Sequence, residues 1–130
     1  MNKLSDHIKN KKSDRIPVWF MRQAGRYLPE FRDIRKKNKD FVKLCLNSKL
    51  VKEITIQPIN RFDLDAAIIF SDILMIPYGL GQSVKFVKGE GPILGEFNIE
   101  SIQRLEPKKF VEKMQPVYNS IREVKKSIKI

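Results

Sequence analysis

The chain is 130 residues long, 42% hydrophobic, and carries a net charge of +11 at pH 7, which suits one ordinary domain with a real core and an anionic partner. Nothing in it approaches the roughly eighteen consecutive apolar residues of a membrane-crossing helix, and the opening MNKLSDHIKNKKSDR has no apolar segment of the secretory type. The single cysteine, Cys45, excludes an intramolecular disulfide and a thiolate metal cluster.

Residues 1–15 read as a short amphipathic helix or an irregular lead-in. His7 lies in this polar segment and is expected to face solvent without chemical work. Residues 16–20 are apolar and read as a first strand, and residues 21–28 as the loop after it. Pro29 suits the first position of a helix, with Glu30 in its first turn and Lys36 and Lys37 near its end. Phe31, Ile34, Phe41, Val42, Leu44 and Leu46 keep a helical apolar spacing, and Cys45 among them is expected to be a buried, inert thiol. Ser48 is the expected N-cap of a further helix running towards Ile59, which Pro58 ends or kinks.

Ala66 to Phe70 form a continuous apolar run, the pattern of a strand buried on both faces of a parallel sheet. Ser71 and Asp72 end it, and a short helical turn is expected from Ile73 to Tyr78. Residues 79–92 read as extended structure between glycine-rich turns. Gly79-Leu80-Gly81 and Gly89-Glu90-Gly91 are read as turns, because neither stands between a strand and a helix as a phosphate cradle does. Residues 107–127 form the clearest amphipathic helix, which Pro116 is expected to bend or break. Ile128 to Ile130 read as the opening of a third strand.

This order alternates strands with helices, which predicts an α/β fold with a parallel sheet. In such folds the chemistry gathers at the C-terminal ends of the strands. The first expected strand empties into Arg22, Gln23, Ala24, Gly25 and Arg26, and the second into Ser71 and Asp72. Two guanidiniums held four residues apart, with an amide between them, form a receptor for carboxylates or phosphates. A plainer reading makes Arg22 and Arg26 two solvated residues on one helix face. Gly25 inside the pair, and Pro17 and Pro29 around it, weigh against that. Asp72 has its own plainer reading, as the cap of the helix that follows, and both roles can coexist. If the two strands are neighbours, Arg22, Arg26 and Asp72 share one rim. A ligand with acidic arms around a centre of N–H groups satisfies all three.

PVWFMRQAGRYLPEFR and LDAAIIFSDILMIPYGLG resemble the two signature stretches of the uroporphyrinogen decarboxylase family. The likeness runs from about residue 14 to the end of the chain. It implies a (β/α)8 barrel, a cofactor-free and metal-free reaction, and a cytoplasmic homodimer. It also implies the reaction, which turns the four acetate arms of uroporphyrinogen III into methyl groups with loss of CO2. On the matching positions, Asp72 is the catalytic carboxylate that accepts the pyrrole N–H groups. Arg22 serves proton delivery or acetate binding, Arg26 holds a substrate carboxylate, and Gln23, Ala24 and Gly25 complete the substrate loop. A barrel of this kind takes roughly 250 residues, so residues 1–130 are expected to be its N-terminal part, about two and a half βα units of a partial TIM barrel. The family also uses a Tyr, a Ser and a His from later in the barrel, and no positions here match them. The isolated chain is therefore expected to be inactive and unstable as a monomer. A basic nucleic-acid-binding module is the rival reading, motivated by the charge alone. The scattered lysines lack the interleaved aromatics of a single-strand binding platform.

Overall fold

Helices dominate, because the sequence supplies a start signal for most of them. A computed structural model describes residues 3–10, 15–87 and 89–128. Helix α1 is Lys3–Asn10, α2 is Pro29–Lys37, α3 is Phe41–Cys45 and α4 is Ser48–Phe62. Helix α5 is Met75–Gly79, β1 is Val84–Val87, β2 is Gly91–Leu94, α6 is Ile99–Gln103 and α7 is Pro107–Ser127.

Pro29 opens α2 as the sequence predicts, and Phe31 and Ile34 turn inward. Asn38 closes it, its backbone N–H and its Nδ2 both donating to the Ile34 carbonyl. Asp40 caps α3 by accepting from the Lys43 N–H at 3.0 Å. The cap of α4 is Asn47, which accepts from the Leu50 N–H at 3.1 Å, and not Ser48, which is the first helical residue. Neither proline ends its helix. Pro58 is buried inside α4, which runs on to Phe62 and stops where Asp63 adopts φ 46°. Pro116 lies within an unbroken α7. A proline costs a helix one hydrogen bond and some steric strain, and packing of α4 along α7 outweighs that local cost. Helix α6 was not foreseen.

Residues 79–92 give the expected extended excursion. β1 and β2 pair antiparallel, with Val84 opposite Leu94 and Val87 opposite Gly91. Gly89 and Gly91 take positive φ at 90° and 88°, as turn glycines do. Gly79 is different. It sits in α5, and a Cβ there would lie 2.5 Å from the Phe110 ring. It is glycine because α5 and α7 meet there, not because the chain turns.

The expected parallel sheet does not form among the described residues: segments 16–20 and 66–70 are not strands, and the one sheet there is the antiparallel β1–β2 pair. Single hydrogen bonds tie the two segments instead of a ladder. The Asp65 N–H donates to the Val18 carbonyl at 2.9 Å. Phe70 packs on the helices, whereas Ile16, Val18, Trp19, Phe20 and Ile68 are exposed. A doubly buried strand needs neighbours and cover on both sides, and these residues supply only one side of each. The expected third strand from Ile128 falls mostly outside the described residues.

Two core clusters hold the helices. One joins Leu28, Phe31, Ile34, Leu44 and Ile54, and the other joins Cys45, Met75 and Met114. Phe70 packs on both. Its ring meets Phe31 edge-on at 5.5 Å and Phe41 at 5.9 Å. That fixes the chain two residues before Asp72.

Candidate functional site

The second segment leaves Phe70 and enters Ser71 and Asp72 above the core. The Asp72 Oδ1 accepts from the Leu74 N–H at 2.8 Å, and its carbonyl accepts from the Met75 N–H. Asp72 thus forms a turn ahead of α5, but it is not the helix cap of the plainer reading, since Leu74 holds that position with no side-chain cap bond. Among the described residues its Oδ2 has no hydrogen-bond partner, so half the carboxylate is left for a ligand.

Two cavities meet at Asp72. One, of about 490 Å³, is lined by Met21, Arg22, Gln23 and Ala24 from the first loop and by residues 68–73 from the second. The other, of about 290 Å³, is lined by Arg26, Phe31, Arg35, Phe41, Asp72 and Phe86. The two arginines expected from sequence therefore flank the same carboxylate from opposite cavities.

Those two side chains also differ from the other arginines. Arg15, Arg32, Arg35, Arg61 and Arg122 donate to carboxylates, carbonyls or an amide of the protein, and Arg104 pairs with Glu100 at 3.6 Å. Among the described residues, the guanidiniums of Arg22 and Arg26 have no such partner. Their donors are left unmatched among the described residues, and a carboxylate is their natural complement.

The loop between them is a built turn. The Leu28 N–H donates to the Gly25 carbonyl at 3.0 Å, Arg32 donates to the Arg26 and Tyr27 carbonyls, and the Tyr27 hydroxyl donates to the Gln23 carbonyl. Gln23 is buried, and both ends of its amide are engaged. Its Oε1 accepts from the Phe20 N–H at 2.9 Å and its Nε2 donates to the Ala66 carbonyl at 2.9 Å. The amide expected to meet a ligand is thus committed to holding the two segments together. Ala24 packs on the core beneath the loop. Among the described residues a Cβ on Gly25 would meet only the Tyr27 ring, at 3.6 Å, an ordinary contact that does not require glycine.

Sequence reasoning missed Arg35. It lies in the last turn of α2, where a cation reads simply as complementing the helix dipole. Its guanidinium stacks 5.2 Å from the Phe41 ring centre and donates to the Asn38 carbonyl at 2.7 Å. That fixes it at the wall of the Arg26 cavity. Cys45 lies below. Burial first, and then the negative charge of Asp72, push its thiol up to about 12, with Arg35 opposing. The inert thiol expected from sequence is what the core holds.

Residues 1–129 match the family model described as uroporphyrinogen decarboxylase. The chain belongs to the uroporphyrinogen decarboxylase family. Among curated relatives bearing that name, the Chelativorans sp. (strain BNC1) protein is 47% identical over 112 residues, covering 86% of this chain and 33% of the relative. The proteins of Brucella ovis and Brucella canis are each 46% identical over the same length and with the same coverage. This uroporphyrinogen decarboxylase family chain thus spans about a third of the length of the curated relatives it matches. The nucleic-acid-binding alternative gains no support from these likenesses. Among the described residues no helix is long and apolar enough to cross a membrane.

Proposed function

We infer that the protein built on this chain decarboxylates uroporphyrinogen III to coproporphyrinogen III. The observation that carries the reading is the shared position of Asp72, between one cavity walled by Arg22 and another walled by Arg26 and Arg35. An octa-acid whose centre bears N–H groups fits that pattern of charge. Its carboxylate arms meet the guanidiniums, and its pyrrole N–H groups meet the carboxylate. A proton added to a pyrrole carbon makes a cation. The C–C bond to the acetate carboxylate then breaks, CO2 departs, and the electron pair of that bond neutralises the ring as an exocyclic methylene. The methylene gains a proton at carbon while the ring carbon gives its proton back, leaving a methyl group. Asp72 faces the cation and lowers its energy, Arg22 binds the acetate or serves proton delivery, and Arg26 anchors a second arm. Gln23, Ala24 and Gly25 hold the arginines apart.

In this reading residues 1–130 form the N-terminal portion of a (β/α)8 barrel. The strip formed by Ile16, Phe20, Met21 and Ile73, the last 86% exposed, is then covered by later strands and by substrate. The 130 residues alone do not turn over uroporphyrinogen.

The test is Asp72→Asn in a full-length protein carrying these residues. A preorganised charge of this kind is worth about 3 kcal/mol, so kcat falls about a hundredfold with the fold intact. A rate within about twofold of the parent, roughly 0.4 kcal/mol, leaves Asp72 with only its turn-shaping role and sinks the reading.

A further inference from the structure

We propose that Asp65, gripped by Arg15, is a positioning residue that sets Arg22 and Asp72 at one groove. The proposal rests on the site reading above. Segments 16–20 and 66–70 have no ladder to fix their register. A slip of one residue between extended segments moves side chains by about 3.3 Å and turns them to the opposite face. Something else must hold the alignment.

Asp65 does so at one end. Its side chain is 6% exposed. It accepts a forked pair of bonds from Arg15, at 2.7 and 2.8 Å, and a third bond from the Val18 N–H at 2.8 Å. Its own backbone N–H returns to the Val18 carbonyl at 2.9 Å. Val18 is therefore fastened on both its polar atoms to one residue of the other segment. A buried carboxylate tolerates this only while its cation stays in place, so Arg15 locks the arrangement. The Gln23 amide makes a second tie, to Ala66. Between these ties the first segment has no freedom to slide, and the loop that follows must face residues 68–73.

Two readouts on a full-length protein carrying these residues test this. Spin labels on cysteines replacing Met21 and Ile73, both exposed and both lining the groove, report the separation of the two loops. Cys45 stays protonated and unlabelled. On separate samples, quenching of tryptophan fluorescence reports binding of uroporphyrin, a stable octacarboxylate. The parent chain gives one narrow distance. Asp65→Asn broadens it and weakens uroporphyrin binding about tenfold. Should that variant not fold, Arg15→Gln is read in the same way, since Arg15 is partly exposed. Val124→Ala, a cavity in α7 outside both lining sets, lowers thermal stability but changes neither readout. An unchanged distance distribution in both clamp variants overturns the proposal, and so does an equal broadening in Val124→Ala. A parent chain that shows the narrow distance but binds no uroporphyrin overturns the site reading instead, and the distances still decide the clamp.

Discussion

The Thr55 hydroxyl joins α4 to the segment that carries Asp72. It accepts from the Phe70 N–H at 3.0 Å and donates to the Val51 carbonyl at 2.7 Å. The residue is fully buried, so no water replaces either bond. Thr55→Val preserves the shape and removes the acceptor. An unsatisfied buried N–H costs about 1–3 kcal/mol, and urea denaturation should show a loss of that order. Thr55→Ser should recover most of it. Equal stability of the valine and serine variants would show that Phe70 finds another acceptor and that this link does not hold the segment.

Gly79 offers a second check on packing. With a Cβ 2.5 Å from the Phe110 ring, Gly79→Ala must push α5 and α7 apart or force Phe110 from its rotamer. Overpacking of this kind costs about 1–3 kcal/mol. Combining it with Phe110→Leu should return part of the loss, giving a favourable coupling in a double-mutant cycle. Additive losses would mean that the ring is not what excludes a side chain at Gly79.

Local signals carried much of the fold. Pro29 marked the start of α2, and the apolar spacing of Met114 and Val124 marked α7, because both depend on near neighbours. Asn47 and Ser48 are adjacent capping residue types, so sequence could not choose between them. Pro58 and Pro116 do not end their helices, because their local cost is overridden by contacts with distant residues. Gly79 looked like a turn for the same reason. The Arg22–Arg26 loop and Asp72 were visible because each follows an apolar run directly. The Arg15–Asp65 clamp was not, since its partners are separated by 50 positions and neither stands in a recognisable pattern. Arg35 was hidden among the cations that end α2.

The Cys45 thiol predicts a pH dependence. Its folded pKa is raised from 9.0 to about 12, so the folded state keeps its proton where the unfolded state has lost it. The stabilisation is complete below about pH 9 and drains away as pH rises towards 12. Unfolding free energy measured across that window should fall more steeply for the parent than for Cys45→Ala. The native thiol should also resist iodoacetamide at pH 8 and react once denatured. Rapid native modification would place the sulfur outside the core, and parallel slopes for parent and variant would remove it as the titrating group.

Arg26 and Arg32 separate ligand recognition from loop support. Arg26 has a guanidinium without a protein partner among the described residues, whereas Arg32 donates to the Arg26 and Tyr27 carbonyls. Lysine keeps the charge but loses the planar fork that grips a carboxylate. In a full-length protein carrying these residues, Arg26→Lys should raise KM for uroporphyrinogen about tenfold, near 1.4 kcal/mol, and leave thermal stability unchanged. Arg32→Lys should do the reverse, lowering stability with a smaller effect on KM. Arg35→Lys should raise KM as Arg26→Lys does, because it walls the same cavity, and should also lose some stability through its bonds to Asn38 and Lys39. If Arg26→Lys and Arg35→Lys both bind substrate as tightly as the parent, the cavity beside Phe86 does not receive a carboxylate arm. The ligand would then lie wholly in the larger groove, between Arg22 and Asp72.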